Sequence, residues 1–140
     1  MSIQNNVFFT PGPSKMYPKL PEYVQEAMEK QIPSVSHRGP EFKNMYEGSI
    51  EGVRSLLGIP KDYYIFFFAS ATEIWERIAQ NCIENTSFHF NNGIFGYRFI
   101  WAVQMLKKKA INHEVPYGKG FDFDSVEIPD EAELIAFTHN

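Results

Sequence analysis

The sequence predicts an α/β domain with a mainly parallel sheet and helices on both faces. Three observations point there. Apolar runs of strand length alternate with segments of helical periodicity. One of those runs, residues 64–69, is apolar without alternation, which suits a strand covered on both sides. No repeat or low-complexity tract breaks the pattern, and at 140 residues, 44% hydrophobic and 16% aromatic, the chain has the material for a real core.

Near the start, Phe8-Phe9-Thr10-Pro11-Gly12-Pro13 cannot be regular structure, because two prolines without amide donors flank a glycine. A fixed loop is expected there. Pro21 suits the first turn of a helix over 22–31, in which Val24, Ala27 and Met28 share a face, and Pro33 ends it. A polar loop follows, containing His37-Arg38-Gly39-Pro40. Phe42, Met45, Tyr46, Ile50, Val53, Leu56 and Leu57 then recur at three- and four-residue steps, which predicts a helix over 41–57 with Gly58 as its C-terminal cap.

After the apolar run, Ser70-Ala71-Thr72-Glu73 leads into a helix over 74–83. Ser70 or Thr72 is available to cap it, and Glu73 adds favourable charge in the first turn. A short strand over 88–91 and the Asn92-Gly93 turn precede a helix over 95–109 that presents Phe99, Val103 and Leu106. Lys107, Lys108 and Lys109 fall at its C-terminal end, where positive charge is favourable. Further strands are expected over 111–115 and 134–138, separated by a glycine-containing linker and an acidic stretch.

Several function classes are excluded. A net charge of −4 leaves no electrostatic footprint for nucleic acid or an anionic membrane. The single cysteine, Cys82, forbids an internal disulfide and is expected to be a small buried side chain rather than a nucleophile or ligand. His37, His89, His113 and His139 lack the spacing of a metal site, so no metal is expected. Walker-type and dinucleotide glycine patterns are absent, as is a nucleophile elbow. The first residues carry no secretion signal, and the longest apolar run is too short for a bilayer, so the expectation is a soluble cytoplasmic protein.

Three places could carry chemistry. A strand, then Ser70-Ala71-Thr72, then a helix start could hold a phosphate on free amides and a hydroxyl, or Ser and Thr could simply cap. His37-Arg38 could clamp an anion, or form an exposed pair that only bridges carboxylates. Phe95 could stack on a planar cofactor or pack in the core.

The fragments Phe9-Thr10-Pro11-Gly12-Pro13, His37-Arg38-Gly39-Pro40-Glu41-Phe42, Leu57-Gly58-Ile59-Pro60, Ser70-Ala71-Thr72-Glu73, Asn92-Gly93-Ile94-Phe95-Gly96 and Thr138-His139-Asn140 cover nearly the whole chain in that order. Together they resemble the class V branch of the fold-type I pyridoxal-phosphate aminotransferases, most nearly the phosphoserine aminotransferase group. The resemblance implies an entrance segment over 1–15 and an incomplete, cofactor-binding large domain over 16–140. It implies that Ser70, Ala71 and Thr72 hold the phosphate of pyridoxal 5'-phosphate, that Phe95 lies against its pyridine ring, and that His37 and Arg38 bind an anionic substrate group.

The lysine that would carry the cofactor and the aspartate that would pair with its ring nitrogen fall beyond residue 140. These 140 residues alone are therefore expected to be inactive, with no catalytic residue among them. The complete protein would pass an amino group from an amino acid to a 2-oxo acid, phosphoserine and 2-oxoglutarate in serine biosynthesis, and would be a homodimer. Two departures matter. Some phosphoserine enzymes have Gly-Arg where this chain has Ala71-Thr72, and Thr72 instead resembles glyoxylate-type aminotransferases. Phe95 stands in place of a frequent tryptophan, keeping the stacking surface without the indole donor. The alternatives are thus another class V enzyme, such as a glyoxylate-type aminotransferase, or a non-catalytic α/β domain.

Overall fold

The computed structural model describes residues 7, 9, 10, 12 and 14–139. The loop expected over 8–13 lies partly outside the described residues, and Asn140 wholly so. The chain forms two compact units, Met1–Ile65 and Phe66–Asn140.

In the first unit, helix α1 is Leu20–Glu29, with Pro21 in its first turn as expected. It stops where Gln31 turns left-handed at φ 52°, ahead of a single 3-10 turn, Ile32–Ser34. Helix α2 is Pro40–Leu57. Gly58 ends it at φ 64°, a conformation that favours glycine, and donates its amide to Arg54 O. The Arg54 guanidinium folds over the same helix end and donates to Pro60 O and to Tyr63 O (3.0 Å), fixing the path of the departing chain.

The second unit contains helix α3 (Ala71–Asn81), strand β1 (Thr86–Asn91), helix α4 (Ile94–Met105), strand β2 (Lys109–Glu114) and strand β3 (Leu134–Phe137). The three strands form a parallel sheet in the order β2-β1-β3. Every residue of the central strand β1 is buried, as a parallel strand covered on both faces should be. Ser87 pairs with Ala110 and Leu134, and His89 with Asn112 and Ala136, so these residues share one face. Helices α3 and α4 cover that face. Their core is Ala79, Ile83 and Val103, packed against Phe99, Leu106, Ala110 and Leu134. The opposite face carries Phe88, Phe90 and His113. Phe90 meets Phe121 and Phe123 edge-on at 5.2 and 5.1 Å, so a segment containing the 3-10 turn Phe123–Ser125 closes this side.

Three expectations are corrected. Cys82 is exposed and not buried, because it caps the C-terminal end of α3 instead of lying on its core face. Residues 64–69 form no strand: the sheet is built of β1, β2 and β3, and Tyr64, Phe66 and Phe67 are exposed. An apolar run supplies strand propensity, but a strand exists only where a neighbour completes its backbone ladder. The lysine triplet is not the end of a helix either. Helix α4 stops at Met105, Lys107 turns left-handed at φ 60°, and Lys109 opens β2. The useful charge goes to another helix, because Lys108 Nζ donates to Ala79 O (2.7 Å) and Ile83 O at the C-terminal end of α3.

At the start of β3, Glu133 bridges distant parts of the unit. Its carboxylate accepts from the Asn85 amide (3.0 Å) and the Glu84 amide, and its own amide donates to Thr86 O (3.0 Å). The Asn85 and Glu84 amides hold this carboxyl below its ordinary range.

Candidate functional site

The site begins at the start of α3. Ser70 is extended, and its Oγ accepts from the Glu73 amide at 3.2 Å, so Ser70 and not Thr72 is the cap. Glu73 returns the contact by accepting from the Ala69 amide at 3.2 Å, and it pairs with Arg77 at 3.6 Å. Within the helix, the Ala71 and Thr72 amides have no carbonyl one turn back to bond. The capping task is thus met by Ser70, and the Thr72 hydroxyl lies on an exposed first turn. Two amides, a hydroxyl and the positive end of the helix dipole form a donor set that fits a phosphate. Arg77 partly offsets the negative charge of Glu73 nearby.

The start of α4 lies beside it. Asn91, fully buried at the end of β1, accepts from the Gly93 amide at 3.2 Å and so shapes the turn into the helix. A Cβ on Gly96 would lie 2.4 Å from Asn91 Oδ1, so the first turn of α4 can approach β1 this closely only with glycine there. Phe95 follows the turn, 49% exposed, with its ring edge-on to Trp75 at 6.2 Å. A cleft of about 300 Å³ opens among Ile74, Trp75, Phe95, Phe99, His89 and Thr138. That lies at the lower end of ligand-pocket sizes, roughly 300–1,000 Å³, and most of the lining is apolar. The cleft therefore joins the second turn of α3 to Phe95. Ser70, Ala71 and Thr72 sit one turn earlier on the same helix and do not line it.

His89 is the ionisable group in this lining. It is fully buried, its Nε2 lies 2.8 Å from Ser87 Oγ, and its Nδ1 has no partner among the described residues. Burial alone pushes its pKa down to about 4, so the ring is neutral near pH 7.

His37 and Arg38 lie in the first unit, in an open cleft of about 520 Å³ at the start of α2, with Phe42, Lys43 and Tyr46. The Arg38 amide donates to Ser36 Oγ at 3.4 Å, and its guanidinium forms no ion pair among the described residues. Both side chains are exposed. Among the described residues there is no cluster able to hold a metal ion, and no helix is long and apolar enough to cross a membrane.

Sequence reasoning missed His89, Trp75 and Asn91. For Trp75 a signal was present: it is four residues before Ala79 and eight before Ile83, on the helix face that builds the core. For Asn91 the run Asn91-Asn92-Gly93 announced the turn, though not which side chain would shape it. Nothing in the sequence marked His89 as the buried histidine.

No protein-family model matches the chain. Across its whole length it is 28% identical to the L-aspartate–glyoxylate aminotransferase of Paracoccus denitrificans (strain Pd 1222), covering 36% of that enzyme. The solved structure of a phosphoserine aminotransferase from Cytophaga hutchinsonii matches 92% of the chain at 41% identity with a TM-score of 0.83, the match covering 36% of that protein. The chain thus spans about a third of the length of these relatives. In fold and sequence the chain is similar to part of one domain of a fold-type I pyridoxal-phosphate aminotransferase such as phosphoserine aminotransferase.

Proposed function

We propose that the complete protein is a pyridoxal-phosphate-dependent aminotransferase that takes the amino group of phosphoserine and passes it to 2-oxoglutarate, in serine biosynthesis. The observation that carries this reading is the 41% identity and common fold with a phosphoserine aminotransferase over 92% of the chain. In this reading residues 1–15 border the entrance, and residues 16–140 belong to the cofactor-binding large domain. The cofactor supplies an electron sink for the amino acid's Cα carbanion. The residues of this chain do the holding. The Ala71 and Thr72 amides and the Thr72 hydroxyl bind the phosphate at the start of α3, with Ser70 ordering that turn. Phe95 supplies an apolar ring for the pyridine, and the surrounding aromatic side chains limit water at that face. His37 and Arg38 offer donors to an anionic substrate group. By analogy with the family the protein works as a cytoplasmic homodimer.

A second reading has its own support. The L-aspartate–glyoxylate aminotransferase aligns with the whole chain, and Thr72 stands where a phosphate-binding arginine is found in some phosphoserine enzymes. The test is the absorbance spectrum of the product of the whole gene with pyridoxal phosphate. Conversion of the cofactor band on adding L-phosphoserine supports the first reading. Conversion only by L-aspartate moves the assignment to the glyoxylate type, and failure to acquire any cofactor band refutes both.

A further inference from the structure

Trp75 is a neighbour of Phe95 to which the proposed reaction gives no contact with the cofactor. It lies half-buried on α3, just after the first turn. Its indole meets Phe95 edge-on, with centroids 6.2 Å apart and planes at 63°, and it stacks on Phe99 at 6.1 Å and 13°. Phe99 in turn receives His89 edge-on at 5.1 Å and 87°. The rings thus run from Phe95 through Trp75 and Phe99 to an imidazole with no solvent exposure in the central strand. Phe95 itself occupies the second position of its helix and is half exposed, so α4 alone gives its ring little lateral support. The indole provides that support through a favourable edge-to-face contact.

The origin of Trp75 matters as much as its contact. It projects from the helix whose first turn carries Ala71 and Thr72, whereas Phe95 begins the other helix. The indole therefore ties the phosphate-binding end of the candidate site to the ring-binding end, across two elements that otherwise meet deeper in the core at Ala79 and Val103.

We propose that Trp75 is a positioning residue for the cofactor, holding the Phe95 ring at a fixed distance and angle from the start of α3 so that one ligand can engage both. This inference rests on the reading of Ala71, Thr72 and Phe95 as cofactor contacts. A side chain held on its partner before binding spares the ligand the cost of ordering it. Loss of the indole should therefore weaken the cofactor even though the indole need not touch it.

The experiment uses apo-protein from the whole gene, titrated with pyridoxal phosphate and followed by the circular dichroism of the bound cofactor, which reports ring orientation. Trp75→Leu should weaken binding roughly three- to tenfold and diminish the cofactor's dichroic band. Trp75→Phe, which keeps a ring, should recover most of both. Ile83→Ala serves as the control: it loosens the same helix pair away from the ring run and should lower thermal stability while leaving the dichroic band unchanged. Parent-like affinity and dichroism in Trp75→Leu, with the parent binding normally, would overturn the positioning role alone. An equal loss of the band in Ile83→Ala would reduce Trp75 to ordinary packing and overturn it as well. Absence of binding by the parent would instead remove the cofactor reading, and this inference with it.

Discussion

His89 places an ionisable ring in the middle of a sheet, flanked in sequence by Phe88 and Phe90, which point to the other face. Its folded pKa of about 4 lies below the ordinary 6.5, so the sign of its effect is fixed. Above pH 6.5 the ring is neutral in both folded and unfolded chains and costs nothing. As pH falls from 6.5 towards 4, the unfolded chain takes up a proton that the folded one resists, and stability drops, by about 2 kcal/mol at pH 5. Glu133, with its carboxyl held low, acts only below the ordinary carboxylate range near 4.5, so the two windows barely overlap. Urea midpoints of the parent should fall between pH 7.5 and 5, and those of His89→Gln should fall much less. Identical pH profiles would show that the imidazole is not buried uncharged. The sequence displays four scattered histidines, and residue spacing says nothing about which of them a sheet will enclose.

At the scale of elements, the boundaries that sequence reasoning misplaced are the informative ones. Three lysines at a helix end read naturally as a response to that helix's own dipole. In the fold the chain turns at Lys107, and Lys108 reaches back to the last carbonyls of α3, a helix that ended about 25 residues earlier. Lys108→Met should therefore destabilise the second unit by about 1 kcal/mol with its sheet content retained, whereas Lys107→Met should shift the urea midpoint by less than half as much. Equal effects would mean that α3 does not depend on this cap. The periodic faces of α1, α2 and α4, the Gly58 cap and the Ser70 start signal were legible because each depends on residues within a few positions of one another. The run over 64–69 was not, because strand formation depends on a neighbour that local sequence cannot supply.

At the scale of the molecule, alternation of strand and helix foretold a parallel sheet, and the sheet is parallel. The pattern did not foretell that β1 would be central, since strand order is decided by pairings between distant residues. The candidate site divides in the same way. The start of α3 was readable from residues themselves, as a helix start after an apolar run. The cofactor role proposed for Phe95 rests on likeness to known enzymes, and the role proposed for Trp75 rests on three-dimensional contact.

The carboxylate of Glu133 reaches the amide of Asn85 across 48 residues of chain, whereas β1 finds β2 across only one intervening helix. In temporal terms the β1-α4-β2 unit should assemble first, because short loops close at less entropic cost, and β3 should be fastened afterwards. A contact made after the rate-limiting barrier governs escape from the native state more than arrival at it. In stopped-flow urea jumps, Glu133→Gln should accelerate unfolding while leaving refolding nearly unchanged; a slowed refolding limb would instead place the clamp inside the folding nucleus. The lifetime of the assembled sheet, more than the speed of its assembly, is then set by one exposed carboxylate at the head of its last strand.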